Sequence, residues 1–129
     1  MEACYKILIQ ERLSIFLILL KITPNLMGYD FFKQGAEKIV YDGDKKVNVG
    51  LGLYREIAED NGVKHDLVDR AMRHAIDVSF KRNGLYDFEK TYNIKFYMKK
   101  PSPKELLCIL AEVAVTEANK ILRNKEKCA

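Results

Sequence analysis

The sequence predicts a helical domain organised around a helix-turn-helix. Apolar residues recur at three- and four-residue spacing along most of the chain, and Pro, Gly and Asn punctuate the intervals between them. The most specific observation lies in residues 53–84, LYREIAEDNGVKHDLVDRAMRHAIDVSFKRNG, where two short helical patterns meet across a single glycine. A chain of 129 residues is long enough to bury a core. No internal repeat, low-complexity tract or linker divides it, so residues 1–129 read as one domain.

The first helix is expected over residues 3–22, strongly apolar in LSIFLILL and stopped by Thr23, Pro24 and Asn25. That apolar run is too short to span a bilayer and is bracketed by Glu11, Arg12 and Lys21. With no small-residue cleavage pattern after it, it reads as a buried helix, part of which is available for self-association. The second helix is expected over 26–41, with Phe31, Phe32, Ala36, Ile39 and Val40 at helical spacing and Asp42, Gly43 and Asp44 at its end. Residues 45–50 connect it to the helix-turn-helix, whose helices fall at 52–60 and 65–82.

Ile57 and Ala58 close the first of those two helices, Asn61 and Gly62 supply a turn that tolerates positive φ, and Val63 returns to the core. Ala58 and Gly62 are expected to leave room for a close crossing. Asn83 and Gly84 end the longer helix. A short helix over 86–92 follows, and 93–98 alternates weakly and reads as extended. Pro101, Ser102 and Pro103 then introduce a last helix over 104–123, with Leu106, Leu107, Leu110, Val113 and Ala114 toward the core and 124–129 frayed.

Hydrophobic residues at 48% and charged residues at 31% describe a soluble globule rather than a membrane or disordered chain. Cys4, Cys108 and Cys128 are too few and too scattered for a disulfide framework or a metal site, which suits a reducing cytoplasm. Cys108, inside LLCILAEVAV, is expected to pack as a small hydrophobe. A net charge of +4 permits a polyanionic partner, so the distribution of charge decides more than its sum. Lys64, Arg70, Arg73, Lys81 and Arg82 gather in or beside the second helix of the pair, and Lys95, Lys99, Lys100 and Lys104 follow in a later stretch.

At about 100° per residue that helix sorts into two faces. Val68, Ala71, Met72, Ala75 and Ser79 are placed to pack against the preceding helix, whereas Asp66, Asp69, Arg70, Arg73 and Asp77 must meet water or a polar partner. A solvated face is the plainer interpretation. The preceding helix, the glycine turn and the small packing residues bring double-stranded DNA level with it, and spacing alone leaves both readings open.

Catalysis has little support. His65 and His74 lie on opposite sides of about two and a half turns and cannot share a metal. There is no Gly-rich phosphate loop and no nucleophile elbow, and the adjacent acids Glu59 and Asp60 merely end a helix. No catalytic residue, metal ligand or cofactor is expected.

The run LYREIAEDNGVKHDLVDRAMRHAIDVSF closely resembles the DNA-binding effector domain of the stage-zero sporulation protein A family of response regulators. GYDFFKQGAEKIVYD is similar to the family's second helix and KKPSPKELLCILAEVA to its Lys-Pro approach to the last one, so the likeness covers roughly residues 5–120. RAMRHAIDV is its most specific piece. The resemblance implies an all-α fold of about six helices, a helix-turn-helix without a wing, and a transcriptional regulator. Such a regulator reads a short TGTCGAA-type box through the helix at 65–82, as adjacent copies on a tandem site.

Residue by residue, the resemblance makes Arg70, Arg73 and His74 DNA contacts. Asp69 stands at a family glutamate and can accept from a cytosine amino group if the helix lies closer. Lys64 falls at a family threonine near the phosphates, where it can neutralise one. Arg82 matches a basic residue just past the recognition helix. Two further positions depart in ways that weaken the carry-over: Leu67 stands where the family carries a base-reading arginine, and Asp66 replaces a serine at the helix start. The first change removes about 1 to 3 kcal/mol of discrimination. The second stabilises the helix N-terminus while repelling phosphate. A changed box or weaker binding is expected.

The family's receiver domain has no counterpart in this sequence, so gating by phosphorylation in cis is not expected. Its surface for RNA polymerase sigma factor falls at 86–92, where Glu89 and Lys90 replace small polar residues. A competing reading is a protein-interaction module, or a competitor of a full-length relative, with weak DNA binding and with an exposed Leu67 and the apolar first helix as its surface.

Overall fold

A computed structural model describes residues 2–42 and 51–128. The expected connection at 45–50, and Gly43 and Asp44, lie outside the described residues. Among the described residues there are six helices and no strand: α1 (Glu2–Leu19), α2 (Met27–Asp42), α3 (Leu51–Asn61), α4 (His65–Lys81), α5 (Gly84–Tyr92) and α6 (Pro103–Cys128). The fold is therefore all-α. The stretch at 93–98 is irregular rather than extended, and α6 runs on through the residues expected to fray.

Helix ends are set by left-handed residues, most of them not glycine. Lys21, Asn83 and Asn93 have φ of 62°, 61° and 53°, and Gly62 has 65°. At the end of α1 the Lys21 N–H donates to Ile18 O and the Ile22 N–H to Leu17 O, each at 2.9 Å, which satisfies two terminal carbonyls. That closure ends α1 at Leu19, short of the expected residue 22. The same pattern closes α3, where Val63 N–H donates to Ala58 O at 2.9 Å. At the start of α6, Ser102 Oγ accepts from the Glu105 N–H at 3.1 Å, and Pro103 occupies the first helical position.

One core is shared by all six helices. Leu13, Phe16 and Leu17 of α1, Leu20 just past its end, Phe32 and Ala36 of α2, and Leu106, Leu107 and Leu110 of α6 are completely buried in it. Phe16, Phe88, Tyr92 and Phe96 form an aromatic cluster, with Phe16 and Tyr92 edge to face at 5.0 Å. LSIFLILL is buried on one side only, for Ile15 and Ile18 are 42% and 59% exposed. Cys108 is exposed, contrary to expectation, because Leu106, Leu107 and Leu110 define the inward stripe of α6 and leave it outside. Among the described residues no helix is long and apolar enough to cross a membrane.

Tyr54 and Tyr92 are half-buried, and burial raises both hydroxyl pKa values, with Asp69 adding to the first and Glu117 to the second. The unfolded chain therefore releases these protons before the folded one does. Stability is expected to be fully present below the ordinary tyrosine value of about 10 and to fall as pH rises beyond it. Denaturant midpoints measured across that range check this, and a constant midpoint would contradict it.

Candidate nucleic-acid interface

The seat of α4 is built from α2 and α3. Lys38 of α2 pairs with Asp60 at 2.9 Å and Glu56 at 3.6 Å, and the Gln34 and Asn61 amides exchange hydrogen bonds of 2.7 and 3.2 Å. These contacts hold α3 against α2. Asn61 is still helical and its amide also donates to Ile57 O, so Gly62 alone carries the positive φ of the turn. A Cβ at Gly62 would meet nothing within 4 Å, so this glycine supplies conformation and not the close crossing expected of it.

The close crossing lies elsewhere. At Gly28 of α2, a Cβ would fall 2.6 Å from Ala75 Cβ and 2.7 Å from the Ala71 carbonyl oxygen. Part of the small-residue face of α4 therefore rests on α2 rather than on α3 as expected. Val68, Met72, Ala75 and Ser79 are buried there and Ala71 is half-buried. The far end of α4 is tied to α1: Arg82 Nη1 donates to Lys21 O at 3.3 Å, while Lys21 Nζ donates to Arg82 O at 3.2 Å and to Asp87 at 2.8 Å.

On the outward side, Arg70, Arg73 and His74 are exposed, as are Lys64 and Asp66 before them. Asp69 and Leu67 sit on opposite flanks of that face, which is why each is half-buried. Leu67 is thus not the exposed apolar residue that the interaction-module reading requires. Lys64 precedes the first turn of α4 in extended conformation, with no side-chain cap on the helix. Arg82 is exposed but stands at the opposite end of α4, about 18 Å from Arg70 at 1.5 Å per residue. Seven of the eight expected residues therefore fall between Lys64 and His74, on the approach and the first three turns of α4, and the eighth does not.

Each carboxylate on this face has a basic neighbour, a lysine or arginine for Asp69 and Asp77 and an imidazole for Asp66. Asp66 lies 3.2 Å from His65 Nε2, Asp69 accepts from Arg73 Nε at 2.9 Å, and Asp77 accepts from Lys100 Nζ at 3.1 Å. Arg73 remains 61% exposed in its pair. Arg70 makes no ion pair among the described residues. Asp69 and Asp77 are thus locally compensated, and the net appeal of α4 to a polyanion comes from Lys64, Arg70 and Lys81.

Several contributors escaped sequence reasoning. Tyr54 of α3 lies close enough to Asp69 and Arg73 for both charges to act on its hydroxyl. Lys100 both neutralises Asp77 and sits over the Phe80 ring, 5.6 Å from its centroid, which brings the irregular 93–102 segment alongside α4. Glu89 and Glu105 hold that segment by accepting from the Phe96 and Tyr97 N–H groups at 3.0 and 2.9 Å. No local spacing signals such pairs. Among the described residues no group of three or more His, Cys, Asp or Glu is arranged to hold a metal ion. The family described as "Sporulation initiation factor Spo0A C terminal" matches the chain over residues 15–114.

Proposed function

We propose, because this chain belongs to the Spo0A C-terminal family of DNA-binding domains from sporulation regulators, that α4 enters a major groove and reads a short box of TGTCGAA type. The observation that carries this reading is the outward display of Arg70, Arg73 and His74 from a helix seated on α2 and α3. An arginine fork matches guanine O6 and N7, and two such forks three residues apart can share one groove. Lys64 meets a backbone phosphate at the start of α4, and Arg82 a second one at its far end. Asp66, drawn toward His65, moderates rather than abolishes the attraction at the N-terminus.

Occupancy of a tandem site places two copies side by side, and α5 is the surface offered to RNA polymerase sigma factor. Glu89, which departs from the family there, serves the fold by holding Phe96 N–H. The exposed Ile7, Ile15 and Ile18 of α1 favour the interaction-module reading.

A gel shift against a TGTCGAA-type duplex at graded salt tests the proposal. Log K should fall linearly with log salt, with a slope of about 0.9 per phosphate contact. Lys64→Ala should weaken binding to all sequences alike and make that slope shallower by about one contact. No binding at low salt gives the case to the interaction module, and an unchanged slope removes Lys64 from the phosphate contacts.

A further inference from the structure

We infer that Asp69 is a positioning residue, which holds Arg73 by its Nε and so presents the Nη1–Nη2 edge of that guanidinium to a base, instead of reading a base itself. The inference rests on the DNA-reading role proposed for α4. Three observations lead to it. Asp69 Oδ2 accepts from Arg73 Nε at 2.9 Å across one helical turn, a charge-assisted bond. Asp69 is the more buried partner, 33% exposed against 61%, so the acid lies below the tip of the arginine and not beyond it. Its flank of α4 faces α3, where half-buried Tyr54 stands beside the pair.

The chemistry of the fork follows from that geometry. A guanidinium has five N–H donors, and the bond to Asp69 uses one. Arg73 Nη1 and Nη2 make no hydrogen bond among the described residues, and together they form the edge that matches guanine O6 and N7. An aspartate four residues before an arginine reaches Nε without extending past the guanidinium. In the free protein it restricts a side chain that would otherwise lose its rotamer freedom on binding. The same carboxylate also places a negative charge close to a polyanion. Asp69 should therefore raise affinity for the correct box while lowering affinity for DNA in general.

Those opposite signs define the test, made with the full chain by fluorescence anisotropy on a box duplex and a random duplex. Asp69→Ala should weaken box binding about three- to tenfold, the worth of one ordered long side chain, and leave random DNA unchanged or bound more tightly. Asp69→Asn, which keeps an oxygen acceptor, should retain more of the box preference. In an Arg73→Ala background, Asp69→Ala should cause no further loss on the box. A loss that persists in that background, with Arg73→Ala itself weakened, overturns the positioning role and leaves the DNA reading intact. An equal loss on both duplexes also overturns it, because it marks a scaffold effect. If Arg73→Ala binds the box as the parent does, Arg73 does not read a base and the inference falls with it.

Discussion

Gly84→Ala is expected to lower the stability of the domain by about 3 kcal/mol or more, seen as a shifted urea midpoint with an unchanged slope. A Cβ at Gly84 would fall 1.8 Å from the Leu20 carbonyl oxygen and 2.8 Å from Ser79 Oγ. Neither neighbour can retreat. Leu20 is completely buried, Ser79 is buried on α4 with no hydrogen-bond partner for its Oγ, and Lys21 and Arg82 bind the two segments to each other. Gly62→Ala supplies the contrast. A Cβ there meets open space, so only the positive φ is penalised, at about 1 kcal/mol. Equal losses in the two variants would show that the α1–α5 joint yields where its geometry says it should not.

Arg70→Ala and Arg73→Ala should each cost about 1 to 3 kcal/mol on the preferred box and much less on random DNA. Both side chains are exposed on the outward face, so truncation removes the proposed DNA contact without opening a core cavity, and melting should barely change. The reciprocal change is Leu67→Arg, which restores the residue the family carries. Leu67 is half-buried on the flank of that face, so the substitution also gives up some apolar burial. Its gain in box preference must be read against random DNA and not from affinity alone. Unaltered box binding by Arg73→Ala, or flat preference in Leu67→Arg, would leave α4 without a base-reading role.

The helices and the polar face of α4 were legible because their signals are local. Periodicity over a dozen residues, a glycine between two helical patterns, and Ser102-Pro103 ahead of an apolar stripe each report on neighbours in the chain. What stayed hidden depends on distant partners. Lys21 and Asn93 end helices in left-handed conformation, but a lysine carries no stop signal of its own. Nothing in the local sequence marks the place of Gly28 under Ala71 and Ala75, so periodicity alone assigns the inner face of α4 wholly to α3. Cys108 misled because an almost continuously apolar run conceals which stripe faces inward. Within the site, the i, i+4 spacing of Asp69 and Arg73 was visible, whereas Lys100 on Asp77 and Tyr54 beside the pair required the fold.

The contact at Gly28 also bears on how the molecule would accommodate a duplex. A helix resting on side chains can rock as rotamers change beneath it; α4 rests there on bare backbone, with the Ala71 carbonyl against α2. With its far end tied through Arg82 to Lys21, it has little compliance from its middle to that end. Adaptation on docking then falls to the nucleic acid. Operators with easily deformed pyrimidine–purine steps beside the box should be preferred over stiff ones of identical contacted sequence, so part of the selectivity resides in base pairs no side chain reaches.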